Sequence, residues 1–169
     1  MEFVAFLEKW IWLGFAALGF AILFNVPKRT LWVIFLMGAL GGALKLFTLQ
    51  LGGGIILGSF FGAVLVGFLS IGAAHLKHSP PFVFAIPAVI PMVPGAFAYR
   101  MMLGVIRLSG DVDHAVFLQL MEETFSNGLK AFLVLMALSL GVSAPMLLTR
   151  RESAKNIKLP LKIDERNKK

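Results

Sequence analysis

Apolar residues dominate this chain in five long blocks, which short polar or glycine- and proline-rich connections separate. The blocks cover residues 10–25, 31–51, 55–74, 82–100 and 125–148, and the fourth has a possible extension to residue 108. A bilayer core of about 30 Å requires about 20 consecutive apolar residues in a helix. The pattern therefore predicts an all-α integral membrane protein with about five transmembrane helices.

Composition agrees with this class, because 58% of the residues are hydrophobic, 15% are charged and the mean hydropathy is +0.84. The longest polar stretch is residues 150–169. We therefore expect a five-span transmembrane domain over residues 1–149 and a basic tail over residues 150–169. The N-terminus is not expected to be a cleaved signal peptide, because Glu2 and Glu8 stand where such a peptide carries basic residues.

The fourth block contains a segment that cannot form an unbroken helix. Residues 87–95 read PAVIPMVPG. Each proline lacks an N–H and crowds the carbonyl four residues earlier, and free backbone groups in hydrocarbon persist only where protein or water satisfies them. We predict a fourth span broken at Pro91, Pro94 and Gly95, which serves either as a transporter-like binding device or as a kinked packing helix.

The charges indicate how the chain is oriented in the membrane. The net charge is +7, and most of it comes from the tail. Lys28 and Arg29 follow the first block and Lys77 follows the third, whereas residues 50–54 are uncharged and carboxylates lie after the fourth block. Because Lys and Arg concentrate on the cytoplasmic side, we predict a cytoplasmic C-terminus and an external N-terminus. The tail lacks interleaved aromatic residues, so it predicts contact with anionic lipid and not with nucleic acid.

The second and third blocks carry glycines at helical spacing. The glycines are Gly38, Gly41, Gly42, Gly54, Gly58 and Gly62. Such faces allow the backbones of neighbouring helices to approach closely, either for packing alone or as a sliding surface. Substituting Gly58 is therefore expected to disrupt packing more than substituting Gly14, which belongs to no such series.

Few polar side chains lie within or beside the blocks, and ionisable residues at membrane depth are costly and mark functional sites. Lys45 either snorkels to the outer interface or contributes to a site. Arg100 lies below the surface if the fourth span continues to residue 108, and it suggests an anionic ligand. Asn127 is placed to hydrogen-bond carbonyls that the break frees. The expected substrate-binding residues are Pro91, Pro94, Gly95, Tyr99, Arg100, Asn127 and Lys45.

The sequence gives little support to enzymatic chemistry. It contains no cysteine, and its glycine run 52–54 lacks the lysine of a phosphate-binding loop. Residues 111–114 read DVDH, but capping of an amphipathic helix by Ser109 or Asp111 is a better interpretation than a metal site. We therefore expect no enzyme, no metal and no cofactor.

Three segments resemble one family of transporters. They are FNVP at 24–27, PAVIPMVPG at 87–95 with Tyr99 following, and GVSAP at 141–145 before a basic end. Together they resemble the threonine/serine exporter family, and more narrowly its short stand-alone subunits of the kind found in two-component succinate exporters. The resemblance covers residues 4–151, and the proline segment is its most specific part.

The resemblance implies a subunit of a secondary-active exporter in the bacterial inner membrane. Its substrate would be threonine or serine, or a dicarboxylate such as succinate, and it would work with a longer homologous partner that has a cytoplasmic domain. Five spans also suit half of an inverted-repeat transporter, since a second unit in tandem would insert upside down. The alternative is a non-transporting membrane scaffold whose glycine faces and basic tail recruit other proteins.

Overall fold

The computed structural model describes residues 2–110 and 113–149, and this part of the chain is helical with no strand. The α-helices are α1 (Glu2–Leu23), α2 (Leu31–Gln50), α3 (Ile55–Lys77), α4 (Pro81–Val89), α5 (Gly95–Leu108) and α6 (His114–Thr149), with 3₁₀ turns at Lys28–Thr30 and Ile90–Met92. The predicted tail and Asp111 lie outside the described residues.

Three stretches within the described residues are long and apolar enough to cross a membrane. They are Lys28–Gln50, Ile55–Lys77 and Val116–Thr149, and the bent pair Pro81–Met92 and Gly95–Leu108 makes a fourth if it counts as one span. The expectation of an all-helical membrane protein is confirmed at this level. The predicted first span, residues 10–25, falls mostly within α1, which is not among these candidates, so the count of five spans stays a prediction.

The FNVP segment makes the sharp connection between α1 and α2. Asn25 adopts a left-handed conformation with φ 55°, which asparagine tolerates better than most residues. The Thr30 hydroxyl donates to Pro27 O at 2.7 Å and closes the following turn. The chain can therefore reverse within a few residues, which brings α2 back alongside α1.

Glycines let α2 and α3 touch, and they admit the Met92 side chain between the two helices. A Cβ added to Gly62 would lie 2.6 Å from Gly41 O, and one added to Gly41 would lie 2.6 Å from Met92 Cε. No real side chain approaches backbone so closely, so only glycine allows this packing. Met92, which is 2% exposed, is thereby fixed at the centre of the bundle.

Helix α4 lies in the core and contacts α1, α2 and α3. Its Phe84, Ala85 and Ala88 are fully buried, and they pack with Ile34 of α2 and Val66 of α3. Phe84, Ala85 and Ala88 face the neighbouring helices, whereas Phe82 and Ile86 lie on an exposed face of α4. The amino-terminal half of the bent pair is therefore a fixed element of the fold.

Helix α6 is longer than the predicted fifth span. It begins at His114 and not near residue 125, because the amphipathic stretch at 116–121 continues into the apolar block without an interruption. Glu122 and Glu123, expected in a connection, therefore lie on a helix. The expected capping of this helix by Ser109 is not observed, since its hydroxyl donates to Ile106 O at 2.7 Å and closes α5 instead.

Helix α6 serves two parts of the fold. Its second half packs against α3, where Pro145 lies beside Gly67, and its first half packs against α5. Gly104 of α5 lies directly against Thr124 of α6. Because α5 makes most of its contacts with α6, α5 and residues 114–130 of α6 form a two-helix arm beside the bundle.

Gly14 is not the unpacked position that the sequence indicates. A Cβ added there would lie 2.8 Å from the ring of Phe35, whereas one added to Gly58 would lie 3.0 Å from Lys45 O. The premise that these two glycines differ in packing is therefore wrong, since both face a neighbouring helix. Gly19 and Gly72 have open space instead, so Gly72 is the better control on α3.

We expect Gly62→Ala to destabilise the protein by about 1–3 kcal/mol, because the added methyl group would press on the α2 backbone. Gly72→Ala lies on the same helix with nothing within 4 Å of its Cβ. It is expected to be neutral or stabilising by up to about 1 kcal/mol, as alanine favours a helix over glycine. Unfolding of both variants in detergent measures the difference, and equal effects would contradict the close α2–α3 contact.

Candidate functional site

The chain bends between α4 and α5 at Val93 and Pro94. The 3₁₀ turn ends at Met92, Val93 is extended with φ −60° and ψ 136°, and Pro94 precedes the first residue of α5, Gly95. The two helical segments differ in direction by 56°. The bend therefore lies within the segment that the sequence singles out, with Pro91 inside the 3₁₀ turn.

Lys45 reaches this bend from α2. Its Nζ donates to Met92 O at 2.8 Å. In an unbroken helix this carbonyl would accept from the amide of Ala96, which has no backbone acceptor within the described part of the chain. Lys45 therefore satisfies a carbonyl that the bend frees, and its ammonium points into the fold instead of snorkelling outward.

The start of α5 is open to its surroundings. Gly95 and Ala96 are exposed, and a Cβ added to Gly95 would meet nothing within 4 Å. The first amides of a helix lack intrahelical partners and form the positive end of the helix dipole. Ala96, Arg100 and Arg107 follow at spacings that place them on one helix face. This face runs from a free amide to two guanidinium groups.

Arg100 and Arg107 border a groove between α5 and α6 with a volume of about 260 Å³. The groove is lined by Arg100, Leu103, Gly104, Arg107, Leu120, Glu123, Thr124 and Asn127. Two residues expected from the sequence, Arg100 and Asn127, thus lie in one groove. Arg107, Glu123 and Thr124 also line it, although the sequence analysis did not select them.

The charged groups of the groove do not neutralise one another. Within residues 2–110 and 113–149, neither arginine forms a salt bridge, and Glu123 Oε1 accepts only from Gln119 Nε2 at 3.3 Å. The Asn127 amide donates to Glu123 O of its own helix at 2.8 Å. The expected bond from Asn127 to carbonyls freed by the bend is not observed within the described residues. The groove presents two cations and one carboxylate to a ligand.

A third cation lies near the start of α5. Lys130 Nζ is 5.9 Å from the centre of the Phe97 ring, within the range of a cation–π contact. Phe97 directly follows Ala96, so this ammonium adds positive charge at the end of α5 where the free amide lies. Cationic groups from both helices of the arm therefore continue from the bend to the groove.

The distribution of charge along α6 places the groove relative to the membrane. Residues 131–149 carry no ionisable side chain, whereas Glu122, Glu123 and Lys130 lie before them. About 20 residues cross the hydrocarbon core, while the 36 residues of α6 extend over about 54 Å. If residues 131–149 form the membrane-crossing part of α6, the groove lies at the edge of the hydrocarbon region, where charged groups cost less than at the midplane.

The seven residues expected from the sequence do not form one cluster. Lys45, Pro91, Pro94 and Gly95 lie at the bend, whereas Arg100 and Asn127 lie in the groove. Tyr99 is 64% exposed and does not line the groove. The described residues contain no group of three or more His, Asp or Glu side chains that could hold a metal.

These features define a helical membrane protein with a bent helix pair. The sequence model described as "Threonine/Serine exporter, ThrE" matches residues 9–148. The chain therefore belongs to the threonine/serine exporter family, a family of transporters, and the resemblance to this family seen in the sequence is confirmed.

A curated relative from Haemophilus influenzae, an uncharacterized protein, is 31% identical over 137 residues. The match covers 80% of this chain and 45% of the relative. The chain thus spans about half the length of the curated relative it matches. No solved structure matches the chain.

Proposed function

We propose that this chain is one half of a secondary-active exporter that moves small carboxylate-bearing metabolites out of a bacterial cell. The observation that supports this most is the face of α5, on which the free amide of Ala96, Arg100 and Arg107 follow one another into the groove. Helix N-termini bind anions, and guanidinium groups bind carboxylates through paired hydrogen bonds. A carboxylate can thus find a donor at each step along α5.

The size of the groove favours a small metabolite. Its volume of about 260 Å³ lies just below the range of about 300–1,000 Å³ that is typical of drug-sized ligands. The family name supports threonine and serine as substrates, and a dicarboxylate such as succinate has the same anionic group. Each of these molecules carries at least one carboxylate for the arginines.

The mechanism we propose is alternating access around the bend. Helix α4 is held in the core, and Lys45 and the glycines of α2 and α3 hold Met92. Helix α5 contacts mainly α6, so the arm is the part that can move while α4 stays in place. Substrate would be captured at the start of α5 and passed to Arg100 and Arg107 at the edge of the membrane. Discontinuous helices serve transporters in this way.

A second unit would complete the pathway. Gly95 and Ala96 are exposed, and free amides at membrane depth require protein or water to satisfy them. More than half of the Haemophilus influenzae relative lies outside its match to this chain, which leaves room for another unit. We assign this role to a longer homologous subunit with a cytoplasmic domain, inserted in the opposite sense.

In this proposal the protein is a multi-pass component of the inner membrane. Lys28, Arg29 and Lys77 lie on the cytoplasmic side with the basic tail, as the positive-inside rule requires. The connection between α2 and α3 and the groove then lie on the periplasmic side. The groove would be the exit of the pathway, and anionic lipid would contact the tail.

Export tests the role of the groove. Arg100→Ala is expected to lower the efflux rate of labelled threonine or succinate by about tenfold or more, which raises the activation free energy of transport by about 1.4 kcal/mol. Arg100→Lys should keep part of the rate, because it retains the charge but loses the bidentate fork.

The matched control is Tyr99→Phe, one residue away but outside the groove, which should leave efflux unchanged. Variants are compared at equal membrane levels in cells that also contain the partner. Full export by Arg100→Ala would favour a snorkelling arginine and the alternative of a non-transporting scaffold.

A further inference from the structure

The groove holds a carboxylate opposite its two arginines. Glu123 lies on α6, and Arg100 and Arg107 lie on α5, yet within the described residues none of the three forms a salt bridge. Opposite charges that face one cavity without pairing leave both signs available to a ligand. The chemistry that matches such a cavity is a small zwitterion with a carboxylate at one end and an ammonium group at the other.

The local contacts hold Glu123 in place while leaving it an acceptor. Gln119 Nε2 donates to Oε1 at 3.3 Å, one helical turn away. The neighbouring polar groups are already engaged within α6, because the Thr124 hydroxyl donates to Leu120 O at 2.6 Å and the Asn127 amide donates to Glu123 O. The Glu123 carboxylate is therefore the anionic acceptor that the described lining offers to an ammonium group.

The Glu123 carboxylate would repel a ligand that carries two carboxylates. A dicarboxylate bound by Arg100 or Arg107 would bring its second carboxylate into a groove that already contains Glu123. Like charges at close range repel each other, and discrimination between ligands often rests on such repulsion. The groove thus combines attraction for an amine with repulsion of a second acid.

We infer that Glu123 is the residue that determines substrate class, by accepting the ammonium group of an α-amino acid and rejecting dicarboxylates. This inference rests on the proposed export function and deepens it. Glu123 is a specificity residue in this scheme, whereas Arg100 and Arg107 bind the carboxylate that both classes of substrate share.

The test compares Glu123→Gln with Glu122→Gln. The two residues are adjacent on α6 and both exposed, but Glu122 does not line the groove. Efflux of labelled threonine and of labelled succinate is measured in parallel, and the ratio of the two rates is the readout. Glu123→Gln is expected to lower the threonine-to-succinate ratio by about tenfold or more, a change of about 1.4 kcal/mol in selectivity. Glu122→Gln should leave the ratio unchanged.

An unchanged ratio in Glu123→Gln, with export still present, would overturn the role of Glu123 and leave the export function standing. Absence of export of both substrates from wild-type cells would instead overturn the proposed function.

Thermal unfolding of the purified chain in detergent provides an assay that does not depend on transport. Threonine is expected to raise the melting temperature of the wild type and of Glu122→Gln more than succinate does, and Glu123→Gln should lose this preference. A preference of the wild type for succinate would also refute the inference.

Discussion

Lys45→Met is expected to lower the export rate by at least about tenfold, which raises the activation free energy of transport by about 1.4 kcal/mol. The protein should still insert into the membrane. The substitution removes the only side chain that donates to Met92 O among the described residues. An unpaired buried carbonyl costs about 1–3 kcal/mol, but methionine also removes the cost of holding an ammonium group among apolar helices. The two terms oppose each other, so we expect a modest change in stability and a large loss of transport.

The control for Lys45 is Thr48→Val on the same helix. The Thr48 hydroxyl donates to Leu44 O of its own helix and does not reach the bend, so its replacement should leave export close to wild type. Lys45→Arg should keep part of the activity, because it retains a donor but is longer and planar. Export at the wild-type rate in Lys45→Met, at equal membrane levels, would show that this hydrogen bond has no role in transport.

The double substitution Pro91→Ala and Pro94→Ala is expected to abolish export and to leave insertion intact. Alanine supplies an N–H and removes the ring that crowds the preceding turn, so α4 and α5 can join into one continuous helix. The amide of Ala96 would then bond to Met92 O and displace Lys45. Thermal stability should be unchanged or higher, while the free amide at the start of α5 is lost.

The control for the double variant is Pro87→Ala, because Pro87 lies inside α4 and away from the bend. It should retain export.

The bend itself can be measured, since the chain contains no cysteine. Spin labels at Phe82→Cys and Ile106→Cys, both exposed positions, report the distance between the ends of α4 and α5. A distance unchanged by the double substitution, with normal export, would contradict the proposed role of the bend.

Much of the helical framework could be predicted from the sequence, because each helix of the bundle is an apolar run bounded by proline, glycine or charge. The bend at Val93 and Pro94 was predictable for the same reason, since proline acts on the residues next to it. The continuity of α6 was not, because the amphipathic stretch at 116–121 was expected as a helix separate from the fifth span, with Glu122 and Glu123 in a connection between them. The apolar residues of this stretch stabilise a helix only when α5 packs against them.

The candidate site was predicted only in part, because its contacts join residues that are distant in sequence. Arg100 and Asn127 could be selected from their polarity beside apolar runs, but Lys45 and Met92 meet across 46 intervening residues. No local pattern encodes that hydrogen bond. Glu123 was missed because it was assigned to a connection, and Arg107 was not selected although it falls in the possible extension of the fourth block to residue 108. The spacing of seven residues from Arg100 to Arg107 and of four from Glu123 to Asn127 was the available signal, since both spacings place residues on one helix face.

The measurement that tests the central claim most directly is efflux from the native bacterium after deletion of the gene for this chain. Cells are loaded with labelled threonine or succinate, and release is followed with the wild-type chain or the variant Arg100→Ala/Arg107→Ala returned at equal levels. We predict that deletion slows the release of at least one substrate, that the wild-type chain restores it, and that the variant does not. Release that deletion leaves unchanged, or that the variant restores fully, would contradict export along the arginine face of α5.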